Sequence, residues 1–148
     1  MESLNCLLEE MAALDKAEYR DSKTDLDPKL PEKYDDLHRL KNPYREAFFQ
    51  IHDELLHAGA SRVLYRSRLE GEGQILSFLH NGSQVPPSEL DELNRDLSEI
   101  ADRIKSWNKG FSGNRIAVQK LQGYGGRIHL ENIQEDGYTV KTRVEIPV

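Results

Sequence analysis

Residues 42–85 constrain this chain more than any other stretch: NPYREAFFQIHDELLHAGASRVLYRSRLEGEGQILSFLHNGSQV. Asn42 can cap a helix whose first turn holds Pro43, where the missing N–H costs nothing. Tyr44, Phe48, Ile51, Leu55 and Ala58 then share one face at helical spacing, with Gln50, Asp53 and His57 displaced from it and Gly59 as the stop. Ser61 to Leu69 alternates, with Val63, Tyr65 and Leu69 on one side and Arg62, Arg66 and Arg68 on the other. The arginines read as a solvated sheet edge rather than a phosphate site. Glu70-Gly71-Glu72-Gly73 turns the chain into Gln74 to His80, whose near-continuous apolar run predicts the more buried strand of a hairpin. A loop carrying His80-Asn81-Gly82 follows.

The flanks complete this unit. Leu4, Leu7, Leu8, Met11 and Leu14 predict a helix over 3–19. Two readings of it stay open: a packing helix, or the tail of a longer coiled helix with a near-heptad seam. Residues 21–42 are polar and turn-rich, with a short strand near Ser22 to Leu26. Their aspartates read as a solvated loop, because no fixed ligand spacing for a hard cation is present. Pro86-Pro87-Ser88 starts another helix, with Ser88 as cap and Asp91 three residues on. Leu90, Leu93, Leu97, Ile100, Ile104 and Trp107 carry it onward. A glycine-bearing loop at 108–113 and a short helix over about 114–122 follow. Gly125-Gly126 opens a strand from Arg127 to Ile133, and Asp136-Gly137 signals a hairpin into a last alternating strand that Pro147 closes. The sum is an α/β (α+β) chain, a two-layer sandwich whose mixed, mostly antiparallel sheet is covered on one face by helices.

Composition narrows the partners. At 148 residues the chain suits one folding domain. A net charge of −6 argues against nucleic acid as a partner. Cys6 is the single cysteine, so there is no disulfide framework and no cysteine metal site, as suits a reducing cytoplasm. No apolar run reaches membrane-spanning length, so no direct membrane contact is expected of this chain.

The order helix, hairpin, Asn-Gly loop, long helix, glycine loop, helix, hairpin resembles the ATP-binding catalytic domain of sensor histidine kinases. These are members of the GHKL (HATPase) family with a Bergerat-type fold, and the nearest look is to the LytS/YesM-type kinases. Asp53-Glu54-Leu55-Leu56-His57-Ala58-Gly59 looks like that family's N box. Leu79-His80-Asn81-Gly82-Ser83-Gln84-Val85 looks like its first glycine box, and Ile116 to Leu121 with Tyr124-Gly125-Gly126 resembles the helix after the second. Gly137-Tyr138-Thr139-Val140 through Ile146-Pro147 is similar to the closing strand, and Thr24 to Pro28 to the acidic strand before the N box. The likeness covers nearly the whole chain.

The resemblance implies an N-terminal helix at 1–20, read as the end of an upstream dimerisation helix, and an ATPase domain at 21–148. It implies ATP and Mg2+ as cofactors of an active domain, and none for a degenerate one. Nucleotide contacts would fall at Asp53, His57, His80, Asn81, Gly82, Gly110, Gly113 and Asn114, with Asp53 as the magnesium ligand. Several positions depart from the family pattern. Asp53 replaces the N-box Asn, and a carboxylate is still an oxygen ligand. His80 replaces the Asp that accepts a hydrogen bond from the adenine amino group, and an imidazole accepts at one nitrogen only when neutral. Gln84 or Val85 replaces the second glycine of that box, and Ser112-Gly113-Asn114 the usual Gly-x-Gly. These departures favour weakened or lost ATP binding. The implied partners are upstream phosphoacceptor helices and a response regulator, in the cytoplasm or on the cytoplasmic side of a membrane-anchored sensor. The other readings are a non-catalytic interaction module that keeps this fold and, outside the family, a generic α/β interaction module. His57 reads as a helix-end residue, His52 beside Asp53 as a metal pair without a third ligand, and His38 and His129 as surface residues.

Overall fold

A computed structural model describes residues 1–98, 121 and 125–148, without the side chains at 92, 93 and 95–98. In chain order the elements are α1 (Asn5–Ala17), β1 (Asp21–Asp25), α2 (Pro43–His57), β2 (Arg62–Glu70), β3 (Gly73–His80), α3 (Pro87–Ser98), β4 (Arg127–Glu135) and β5 (Tyr138–Pro147). The strands form one sheet in the order β1-β2-β3-β5-β4. β1 runs parallel to β2, and the other neighbours are antiparallel. This is the mixed, mostly antiparallel α+β sheet that the sequence predicts.

The alternation of β2, β3 and β5 puts one set of side chains under the helices. Val63, Tyr65 and Ser67 stand opposite His80, Phe78 and Leu76, and these in turn stand opposite Val140, Thr142 and Val144 of β5. Phe78 anchors this face. Its ring meets Phe48 of α2 edge-on at 5.8 Å and Tyr65 of β2 at 5.7 Å, an arrangement aromatic quadrupoles favour. Phe48, Ile51 and Leu55 of α2, and Leu4, Leu7, Leu8 and Met11 around α1, are buried in the same core. Leu4, Leu7, Leu8 and Met11 are thus covered, whereas Leu14 at the end of the α1 seam is exposed.

Asn42 caps α2 as expected: its side-chain oxygen accepts from the amides of Tyr44 at 3.0 Å and Arg45 at 3.2 Å, with Pro43 in the first turn. The predicted Ser88 cap is corrected. α3 begins at Pro87, whose fixed φ suits a first helical position, and the Pro86 carbonyl takes the Glu89 and Leu90 amides. Ser88 lies inside the first turn. The helix expected through Trp107 is described to Ser98, and most of the short helix expected at 114–122 lies outside the described residues. Leu121 is helical and fully buried. Gly125 at φ +80° and Gly126, whose N–H bonds back to the Leu121 carbonyl, lead the chain into β4.

The arginines of β2 need a second correction. β1 lies outside β2, so Arg62, Arg66 and Arg68 project from an interior strand, and each is paired. Arg62 reaches Asp21, Arg66 reaches Asp25 and Glu135, and Arg68 reaches Asp25 at 2.6 Å. Leu79, on that same face, is fully buried. The acidic segment 21–42 is accordingly part of the fold. The Asp27 carboxylate accepts the Leu69 amide at 2.9 Å, tying the chain to β2 just beyond the end of β1. Among the described residues no helix is long and apolar enough to cross a membrane.

Candidate functional site

β3 ends at His80, on the helix-covered face and 4% exposed. The Gly82 N–H donates to His80 Nδ1 at 3.0 Å, so Nδ1 is an acceptor and the ring proton sits on Nε2. Burial pushes the imidazole pKa down to about 4, so His80 is neutral at pH 7. Gly82 is held between this ring and the end of α2: a Cβ there would lie 2.5 Å from the Ala58 carbonyl oxygen and 3.0 Å from Nδ1. Only glycine fits without displacement. Asn81 faces the α2–β2 turn, where its side-chain oxygen accepts the Ser61 and Arg62 amides, each at 2.9 Å.

Asp53 and His57 lie on the exposed side of α2, and the His57 ring bonds the Asp53 carbonyl at 2.8 Å, one turn back. The His52–Asp53 pair separates, as consecutive residues on a helix must. His52 is buried and Asp53 is exposed. Among the described residues no group of three His, Cys, Asp or Glu side chains could hold a metal. The expected positions Gly110, Gly113 and Asn114 lie outside the described residues. Of the expected positions that are described, Asp53 is an exposed carboxylate on α2, and the acceptor nitrogen of His80 is engaged by the Gly82 N–H. A cavity of about 730 Å³ lies elsewhere, along β4 and β5, lined by residues that include Arg127, His129 and Arg143.

The sequence reading missed the most heavily bonded side chain of the core. Asp15, in the last turn of α1, is fully buried. His52 Nε2 lies 2.8 Å and Arg20 Nε 2.9 Å from its Oδ1, and the Tyr65 hydroxyl donates to Oδ2. Burial alone would raise the Asp15 carboxyl, but hydrogen bonds from His52, Tyr65 and Arg20 outweigh it and hold the pKa below the ordinary value. Burial, with the bond to Asp15, pushes the Tyr65 phenol far up. The available signal was an aspartate continuing the Leu8–Met11 spacing of the α1 seam, where an apolar residue is expected. His38, read as a plain surface residue, sits between Glu2 at 2.9 Å and Glu10 at 3.2 Å, and Glu10 also holds Arg45 of α2.

This arrangement of a five-stranded mixed sheet under α1 and α2 is the fold of the ATP-binding catalytic domains of sensor histidine kinases. The catalytic domain of histidine kinase ThkA superposes with a TM-score of 0.70 at 16% identity, over 98% of this chain and 93% of that one. The ATP-binding domain of PrrB from Mycobacterium tuberculosis gives 0.66 at 21% identity, over 98% and 93%. The mycobacterial sensor histidine kinase MprB gives 0.69 at 12%, over 98% and 95%. No protein-family model matches the sequence, and no curated protein matches it. At these identities the likeness is one of fold.

Proposed function

We propose that this chain is the ATP-binding, catalytic-type domain of a two-component sensor histidine kinase in which nucleotide binding is weakened or lost. The fold likeness over 98% of the chain supports the lineage, although a fold alone hosts many functions. The observation that carries the weakened reading is His80. It stands at the end of β3, where the kinase resemblance implies an adenine-accepting aspartate, and its one acceptor nitrogen is taken by the Gly82 N–H. Nε2–H is a donor, and faced with an exocyclic amine it leaves two donors opposed. Asp53 is the residue that would hold magnesium, and a bound metal there would supply charge neutralisation for the phosphates.

In this reading residues 21–148 are the ATPase-like unit, and the helix within 1–20 leads in from upstream phosphoacceptor and dimerisation helices. A response regulator is the downstream partner, and the place of action is the cytoplasm. The second reading, a non-catalytic module that uses the kinase fold for protein contacts, is favoured by the closed geometry at Gly82. Titration with a non-hydrolysable ATP analogue and Mg2+, followed by thermal unfolding, tests both. Weak binding at millimolar analogue supports the first reading over the second, and no shift at any concentration leaves only its lost-binding form beside the non-catalytic module. Micromolar binding with a clear upward shift in Tm contradicts both, because a ligand held by the native state must stabilise it.

A further inference from the structure

Between the end of β3 and the start of α3 nearly every residue is tied down by hydrogen bonds, while little apolar surface is buried. Ser83 N–H donates at 2.9 Å to the Ala58 carbonyl, one of the carbonyls a helix end leaves without an internal partner. The Thr139 hydroxyl donates to the Gly82 carbonyl at 2.6 Å, with the His80 carbonyl 3.3 Å away. Gln84 Nε2 donates to the Thr139 carbonyl at 3.1 Å. The Asn132 side chain pairs with both backbone groups of Val85, at 3.1 and 2.6 Å, as a neighbouring strand would. Ser83 and Gln84 are exposed, and Val85 is only partly buried. A segment held mainly by such bonds, with few buried apolar contacts, belongs to the part of a protein that opens locally before the core does. Opening would lift Gly82 off His80, since that glycine lies against both the ring and the α2 terminus.

We propose that residues 81–85 form a strap that closes over His80 and gates access of a nucleotide to the end of β3. The choice of ligand rests on the function proposed above, whereas the strap itself rests on the bonds just described. Thr139 is the clasp, because its hydroxyl donates to the Gly82 carbonyl and its carbonyl accepts from Gln84.

Acylation by diethyl pyrocarbonate at pH 7, mapped by mass spectrometry, tests this on the whole chain. His80 is neutral there, so its rate reads access rather than protonation. Buried His52, 5% exposed, is the internal reference. The His80/His52 rate ratio should rise by up to about tenfold in Thr139→Val, the range of one net hydrogen bond. It should rise further in Gly82→Ala, whose added Cβ cannot fit beneath the strap. A ratio unchanged in both variants overturns the strap, and that includes a parallel rise at both histidines, which would report global unfolding. A fluorescent ATP analogue with Mg2+ is then titrated into the same variants. Tighter binding in step with the ratio supports the nucleotide assignment. A raised ratio with the analogue still unbound leaves the strap standing and overturns the nucleotide reading.

Discussion

Two buried residues, Asp15 and His80, tie stability to pH. Asp15 is charged in the core because three donors converge on it. Removing one member of such a set leaves the others desolvated and unpaired, so Asp15→Ala should cost about 3–5 kcal/mol by denaturant unfolding. Its folded pKa lies below the unfolded value, so its contribution is present above the ordinary carboxylate range and lost as pH falls through the folded pKa. His80 acts at higher pH. With a pKa near 4 in the fold and about 6.5 unfolded, the denatured chain takes up the proton first as pH falls. Native stability should therefore drop by about 2 kcal/mol between pH 7 and pH 5, and His80→Gln should flatten that slope. Guanidinium unfolding at the two pH values, on both proteins, measures the difference. His80 could be placed from sequence at the end of its strand, but the role of Asp15 could not. Nothing local in Leu14-Asp15-Lys16 says that a histidine of α2, a tyrosine of β2 and an arginine of the α1–β1 connection will meet that carboxylate.

Elements were legible where the signal was local. In α2 the cap, the proline and the apolar spacing all lie within the helix, and each appears as expected. Asn42→Ala should lower stability by about 1 kcal/mol, read as a shift in denaturant midpoint with an unchanged m-value. The β2–β3 hairpin was equally readable, because a run of alternating residues meets a Gly-rich turn. The edge strands β1 and β4 were also readable as strands, but the pairing of β1 outside β2 was not. β1 is five residues of mixed polarity and pairs with β2 across an intervening helix, so no pattern within β2 shows that a strand lies outside it. That long-range pairing turns the arginines of a supposed edge into the salt-bridged face of an interior strand, and converts Asp25 from loop residue to partner of Arg66 and Arg68. Arg68→Ala is accordingly expected to cost about 1 kcal/mol or less, and to cost still less at 1 M salt, because the pair is solvent-exposed.

At the scale of the whole molecule, the order of elements was enough to give the class of fold, and solved sensor-kinase catalytic domains share it end to end. The site is a different matter. The positions Asp53, His57, His80, Asn81 and Gly82 were legible as motif matches, yet the structure sends Asn81 to the α2–β2 turn and folds Gly82 onto His80. Motif spacing fixes where a residue sits along an element but not which hydrogen bond its side chain finds first. The central claim is that the end of β3 is closed and mismatched for adenine. Isothermal titration of the 148-residue chain with a non-hydrolysable ATP analogue and Mg2+ at pH 7 tests it most directly. The account predicts a dissociation constant of about 1 mM or weaker, a binding free energy of about −4 kcal/mol or less in magnitude. A micromolar constant would contradict it.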